Sequence, residues 1–348
     1  MINTALLAEI CKVAGAPGHE QRVREIVLRE TTGLVDEIKI DNLGNLVAIK
    51  KGKERKRVMI GAHMDEIGFI VTHIGDKGFV YFHTLGGFDP KTLTAQRVII
   101  HGTEDVIGVM GGKPIHLMNA ADRAKVPTIK DYFIDTGRPK KELDKIISVG
   151  DTITRSSELI EMGDCINCKS LDNRVSVFIL IEMFREMKKT PPYDVYGVFT
   201  VQEEIGIRGA NVSSMDINPD FGFGLDTTIA WDTPGSTKQE QVSVLGDGAC
   251  IKVMDSATVC DYRMVKYMKE LSKKKKLKTQ LEILPAGGTD TAGIQRMNPG
   301  GCIAGAVSIP TRHIHQSIEM VHKKDVRGAI DLLRHSVENL HTYDWSFR

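Results

Sequence analysis

The sequence predicts an α/β fold that is interrupted by a small β-barrel or sandwich. Helical patterns and short apolar runs alternate over residues 1–68, and the same alternation returns over residues 164–348. Residues 69–163 instead contain short β-like runs with glycine-rich turns and little helix. We therefore expect one α/β domain built from the first and last segments, with the middle segment inserted into it.

The first segment begins with two helical patterns. Leu6, Ile10 and Val13 recur at helical spacing within residues 3–14, and a second helical pattern covers residues 20–29. Short apolar runs separated by turn residues then predict strands at 35–40, 45–50 and 57–62. This order of elements is typical of the start of an α/β domain.

The two later segments differ in texture. In the middle segment the β-like runs are Phe69–Ile74, Gly78–Thr84, Arg97–His101 and Val106–Met110. In the last segment helices at 172–188, near 208–214 and at 324–340 alternate with strands at Val195–Gln202 and Phe221–Leu225. The return of alternating helices and strands indicates that this segment belongs to the same domain as residues 1–68.

The composition excludes several classes of protein. The chain has 348 residues, 41% hydrophobic and 26% charged, which is ordinary for a globular protein. A formal net charge of +1 provides no field for binding nucleic acid. The sequence shows neither a basic leader nor an apolar run long enough for a membrane helix, so we expect a cytoplasmic protein. Cys165 and Cys168 lack a second Cys-x-x-Cys, and we interpret them as incidental thiols.

Histidines and acidic residues follow several of the predicted apolar runs. These candidate site residues are His63, Asp65, Asp172, Glu203, Glu204, Asp226, His313 and His315. We expect the last two, like His63 and Asp65, to lie two residues apart on extended backbone. Each alone has an ordinary explanation, because strand ends are polar and a carboxylate such as Asp172 can cap a helix. In open α/β sheets, however, the carboxyl ends of the strands line a ligand crevice, so these groups can converge there.

The chemical types of these residues match a site for two metal ions. Two of the histidines with three or four of the carboxylates, without a thiolate, suit divalent ions such as zinc, cobalt or manganese. His63 and Asp65 are two residues apart on extended backbone, so the carboxylate can orient the imidazole ring. The adjacent Glu203 and Glu204 point in different directions, which allows one to bind metal and the other to move protons.

Six motifs cover nearly the whole chain in a fixed order: GAHMDEIG (61–68), GVMGGKPIHLM (108–118), KSLDNR (169–174), VQEEIGIRGA (201–210), LPAGGTDTAG (284–293) and PTRHIHQSIEM (310–320). Together they resemble the tetrahedral aminopeptidases, cobalt- or zinc-dependent exopeptidases that act on peptides. The resemblance implies a mixed-sheet, zinc-peptidase-like catalytic domain with an inserted β-barrel. It also implies a homo-oligomer in which the barrel helps to assemble dimers into a hollow dodecamer.

The resemblance further implies a role for each candidate residue. His63, Asp172 and Asp226 would hold one ion, and Asp172, Glu204 and His315 would hold the other. Glu203 would be the general base, with Asp65 behind His63. The family commonly has tyrosine where this chain has His313, and we favour His315 as the ligand.

Two other functions are compatible with some of these residues. A glycosidase could use Glu203 or Glu204 with Asp226, although it leaves both histidines unexplained. A non-catalytic scaffold protein could keep a metal ion for structure only, although a closed structural site needs no spare base such as Glu203.

Overall fold

The structure, a computed structural model, describes residues 2–347 and confirms a mixed α/β fold with a separate closed barrel. In chain order the strands are β1 (Glu37–Ile40), β2 (Leu46–Lys50), β3 (Glu54–His63), β4 (Gly68–Ile74), β5 (Val80–Leu85), β6 (Arg97–His101), β7 (Asp105–Gly112), β8 (Tyr132–Asp135), β9 (Thr152–Arg155), β10 (Ile160–Met162), β11 (Cys165–Cys168), β12 (Tyr193–Thr200), β13 (Phe221–Ile229), β14 (Ala249–Met254), β15 (Thr279–Ile283), β16 (Ile303–Arg312) and β17 (Glu319–His322). The helices are α1 (Thr4–Lys12), α2 (Gln21–Thr31), α3 (Ala120–Ala124), α4 (Lys140–Leu143), α5 (Leu171–Glu186), α6 (Arg208–Ile217), α7 (Tyr262–Lys275), α8 (Asp290–Arg296) and α9 (Lys323–Asn339).

The large sheet has parallel strands at its centre, in the order β12, β3, β13 and β16. Antiparallel neighbours flank them, with β2 beside β12 and both β14 and β17 beside β16. In the central register Gly197 lies opposite Ile60, and Gly61 lies opposite Gly224. Because parallel strands point the same way, their carboxyl ends lie along one edge of the sheet.

Helices cover both faces of this sheet, which is why its central strands are almost continuously apolar. The main core packs α1, α2, α5, α7 and α9 against one face, whereas α6 and α8 lie on the other. Helix α8 approaches β13 closely at Gly224, where an added Cβ would lie 1.9 Å from Oγ1 of Thr291. Glycine at position 224 therefore allows α8 to lie directly against the sheet.

The barrel closes in the order β4, β5, β8, β7, β6 and β9. Its interior is filled by fully buried side chains that include Phe69, Val98, Ile134 and Ile153. Strand β4 starts shortly after His63, the last residue of β3. The barrel therefore leaves the large sheet at the edge where the central strands end.

The inserted β-barrel that the sequence predicted is confirmed, but two of its strands were not located in the sequence. Strands β8 and β9, which complete it, lie outside the predicted β-like runs. The barrel strands fall between Gly68 and Arg155, and the domain boundaries after residues 68 and 163 stay predictions. No helix within residues 2–347 combines the length and the apolar character that crossing a bilayer demands.

Candidate functional site

The parallel edge of the sheet brings the candidate residues together. His63 ends β3, Glu203 and Glu204 follow β12, and Asp226 lies in β13. The remaining two arrive from other elements: His315 follows β16, and Asp172 lies at the start of α5. All six line one cavity of about 700 Å³.

Asp172 lies between the two histidine rings. Its Oδ1 atom is 3.4 Å from Nε2 of His63, and its Oδ2 atom is 3.4 Å from Nε2 of His315. A carboxylate whose two oxygens face two separate imidazoles has the geometry that could bridge two cations.

The other carboxylates divide between the same two imidazoles. Asp226 Oδ1 and Glu203 Oε2 lie 3.8 Å and 3.9 Å from Nε2 of His63. Glu204 Oε2 lies 3.4 Å from Nε2 of His315. Each histidine therefore faces Asp172 together with at least one further carboxylate.

His313 and His315 are placed differently. In residues 2–347, His315 makes ion pairs with Asp172 and Glu204, whereas His313 lines the cavity without an ion pair to either. The expectation of extended backbone here was wrong, because both histidines lie in a turn with φ angles of 60° and 64°. The turn redirects the chain so that the ring of His315 reaches the carboxylates.

The crowding of buried acids shifts the proton affinities of the whole cluster. Burial, together with neighbouring acids, raises the pKa of Glu203 and of Asp226 well above the ordinary values. Burial lowers the pKa of His315, but Glu204 and Asp172 outweigh it and raise this pKa to about 11. Asp172 is the exception, since burial raises its pKa but its contacts with the two histidines outweigh burial and lower it. The raised pKa values of the other acids and of the imidazole indicate that the site is short of positive charge.

The residues present fit divalent cations. One donor atom each from His63, Asp172 and Glu204 lie within 4.8 Å of one another. Imidazole nitrogen with carboxylate oxygen is the donor set that zinc, cobalt and manganese accept. Cations at this position would also supply the positive charge that the buried carboxylates lack.

Asp65 fixes three of these residues at once. Its backbone carbonyl lies 3.0 Å from Nδ1 of His63, nearer than its carboxylate at 3.4 Å. The two carboxylate oxygens instead accept the backbone N–H groups of Glu203 and Glu204, each at 3.0 Å. Asp65 therefore orients the imidazole mainly through its carbonyl and holds the Glu203–Glu204 turn through its carboxylate.

Glu319 also accepts backbone N–H groups of two candidate residues, and the sequence did not predict this role. Its Oε2 atom accepts the backbone N–H of Asp172, and its Oε1 atom accepts that of His315, both at 2.9 Å. The side chain is buried. The only local signal was an acidic residue four positions after His315 in an otherwise apolar run.

A buried ion cluster ties the start of α5 to the turn after His63. Glu66 contacts Lys169 Nζ at 2.7 Å and Arg174 Nη2 at 3.3 Å, and all three side chains are almost fully buried. Arg174 also donates to the carbonyl of Ile10. The cluster thereby fixes the segment that carries Asp172.

The cavity extends from the acidic cluster to a more apolar wall. This wall includes Ile229, Trp231 and Leu284, and Lys252 and Asp255 also line the cavity. The Nζ atom of Lys252 is paired with Asp255 at 3.1 Å. The space beside the cluster can therefore accept a side chain of an extended ligand.

Comparison with known proteins gives a consistent family. The model of the M42 glutamyl aminopeptidase family matches residues 44–332. A lysyl aminopeptidase of Pyrococcus furiosus is 31% identical over 99% of this chain and 100% of its own length. The alignment with the lysyl aminopeptidase therefore covers almost the whole of both chains.

Solved structures agree with this comparison. A TET aminopeptidase from Thaumarchaeota archaeon SCGC AB-539-E09 has a TM-score of 0.94 and 33% identity, covering 97% of this chain and 96% of that one. The TET1 peptidase of Pyrococcus horikoshii, described as assembling into a tetrahedron or a large octahedral shell, has a TM-score of 0.86 at 28% identity. That match covers 96% of this chain and 98% of the other.

The buried side chain of Glu20 should make the free energy of unfolding depend on pH. Its Oε1 atom accepts the backbone N–H groups of Gly18 and Gln202, and burial, followed by the charge of Asp65, raises its pKa to about 7. The pKa of a glutamate in the unfolded chain is about 4.3. Between this pKa and the folded value, the folded chain therefore binds more protons than the unfolded chain. The free energy of unfolding should therefore fall as the pH rises from about 5 to about 7, by at most about 3 kcal/mol from this group.

Glu20→Gln keeps the Oε1 acceptor and should remove this part of the decline. Urea unfolding of both proteins, equally loaded with metal, at several pH values between about 5 and about 8 measures the difference. A wild-type minus variant difference that stays constant over this range would contradict the assignment.

Proposed function

The chain belongs to the M42 glutamyl aminopeptidase family and is an aminopeptidase, and we propose that it acts through two divalent ions with Glu203 as general base. The observation that carries the proposal is the position of Asp172, whose two oxygens face His63 and His315 separately. This arrangement suits two neighbouring ions that share one carboxylate.

The proposed ligand sets follow from these contacts. His63, Asp172 and Asp226 would hold one ion, and Asp172, Glu204 and His315 would hold the other. Zinc or cobalt is our first expectation, and manganese also suits these donors. When bound, the ions supply Lewis acidity to the scissile carbonyl and to the attacking water.

Glu203 would carry the proton through the reaction. Burial raises its pKa and so makes its carboxylate a stronger base, and Asp65 accepts its backbone N–H and orients it. In this scheme Glu203 takes a proton from water as the new C–O bond forms. It then gives that proton to the leaving amine as the C–N bond breaks.

The surroundings support a peptide with a free amino terminus as the substrate. An amino terminus is a cation, and the acidic cluster around Asp172 and Asp226 attracts one. The apolar wall at Ile229, Trp231 and Leu284 offers contact for the first side chain. Of the alternatives, a glycosidase would leave both histidines without a role, and a scaffold would leave Glu203 without one.

Assembly into dimers, and of dimers into a dodecamer, is part of the proposal. The similar TET1 peptidase forms a tetrahedron or an octahedral shell. In this chain the outer face of the barrel exposes Ile107 and Val109 on β7, followed by Ile115 and Leu117. Exposed apolar side chains grouped in this way favour a protein contact.

The proposal also places the protein in the cytoplasm. All six cysteines, which include Cys165 and Cys168, are free in the structure. Free thiols in this number are typical of a reducing compartment.

Hydrolysis should require both a free amino terminus and metal. We expect the chain to cleave members of a panel of aminoacyl p-nitroanilides and to leave their N-acetylated forms intact. A chelator should abolish the activity, and Co²⁺ or Zn²⁺ should restore it. Equal cleavage of blocked and free substrates would contradict exopeptidase action.

Glu203→Gln should lower kcat by about 10² to 10⁴ because the base is lost, while two ions per chain remain. Stopped assays together with elemental analysis measure the two quantities. Exposed Glu142→Gln is the matched control and should change neither. Turnover within about tenfold of wild type would remove Glu203 as the base.

The oligomer should depend on the apolar face of the barrel. The double substitution of lysine for Ile107 and Val109 should give smaller particles by light scattering coupled to gel filtration, because it buries charge in the contact. Ile160→Lys, at another exposed isoleucine, which lies in the large sheet, is the control and should keep the wild-type mass. A wild-type chain that runs as a monomer would contradict the assembly.

A further inference from the structure

The backbone of His315 is held at both of its polar groups. Its φ angle of 64° lies in the left-handed region, which a residue with a bulky side chain rarely adopts. Its N–H donates to Glu319 at 2.9 Å, and its carbonyl accepts from Nη1 of Arg155 at 3.0 Å. Such a conformation persists only where the surroundings fix it, and these two contacts do so.

Arg155 reaches this position from the barrel. It is the last residue of β9 and is 4% exposed. Its guanidinium carbon lies 5.3 Å from the ring centroid of Phe88, a further residue of the inserted segment. The side chain is therefore a buried cation that the barrel delivers to the edge of the large sheet.

The charge of Arg155 is matched by acids of the site. Burial lowers the pKa of Arg155, and the nearby carboxylates of Glu319, Glu66 and Glu204 oppose that effect. An arginine remains charged in such surroundings. It thus offsets part of the negative charge on the side of the cluster that contains Glu204 and His315.

Two glycines of the inserted segment approach the same side. A Cβ added at Gly87 would lie 3.6 Å from Nδ1 of His315, and one added at Gly86 would lie 3.4 Å from Cβ of Glu204. Gly86 has a φ angle of 99°, which suits the sharp turn after β5. The segment from β5 to β9 therefore covers two of the three ligands assigned to one ion.

We infer that Arg155 is a positioning residue that makes binding of one divalent ion, at Asp172, Glu204 and His315, depend on the barrel. This inference rests on the proposed two-ion function. Arg155 touches the carbonyl of His315 and acts through the orientation of its ring. His63 is held separately by Asp65, so the other ion should not depend on Arg155.

Loss of the guanidinium of Arg155 should selectively weaken the binding of one ion. Without its donor, the carbonyl of His315 no longer holds the turn, and the ring can leave the position 3.4 Å from Asp172 and Glu204. Removal of a group that orients a metal ligand typically costs about 10-fold to 100-fold in affinity. We expect a loss of this size for one ion and a change below about threefold for the other.

The test is titration of the metal-free full-length chain with Co²⁺, followed by calorimetry and by the visible spectrum of the bound ion. Arg155→Met should retain high affinity for one ion and bind the second ion more weakly. Arg155→Lys should recover part of the affinity for the second ion because it keeps the charge. Arg22→Met is the matched control. Arg22 pairs with Asp105 of β7 at 2.9 Å and so also joins the large domain to the barrel, away from the ligands.

The outcomes separate this inference from the proposed function. Two ions in wild type and Arg22→Met, with selective loss in Arg155→Met, support the inference. Wild-type affinity for both ions in Arg155→Met, or an equal loss of both ions, overturns the inference alone. Fewer than two ions in wild type overturn the two-ion centre and the inference with it.

Discussion

The site depends on two buried carboxylates whose oxygens accept hydrogen bonds from the backbone of the candidate residues. Asp65 accepts the N–H groups of Glu203 and Glu204, and Glu319 accepts those of Asp172 and His315. Both side chains are almost fully buried, and a hydrogen bond that is shielded from water is electrostatically stronger than one in water. Each carboxylate therefore joins two segments of the site and sets the direction in which their side chains leave the backbone.

The parallel sheet makes this arrangement possible. Strands β12, β3, β13 and β16 end at one edge, so short turns after them bring distant parts of the chain within hydrogen-bonding range. The same geometry concentrates acids, and buried acids are costly without compensation. Lys169 and Arg174 neutralise Glu66, and Arg155 lies near Glu319, so fixed cations surround a centre that still lacks positive charge in its middle.

The inserted barrel contributes residues that contact the candidate site. It begins directly after the turn that contains Asp65, and its strand β9 ends at Arg155 on the carbonyl of His315. Gly86 and Gly87 bring its β5 turn close to Glu204 and His315. A face of the same barrel exposes apolar side chains, so the proposed assembly and the proposed metal binding both involve this structural element.

The sequence by itself determined the α/β class, the inserted β-rich segment and the chemical types at the strand ends, because local periodicity and turn residues report burial within a few positions. His63, Glu203 and Asp226 stand out for that reason. Only the tertiary structure decided that β8 and β9 close the barrel and that Glu319 and Arg155 hold His315. Arg155 lies 160 residues from its partner, and no local pattern encodes a contact that exists only after the two domains pack.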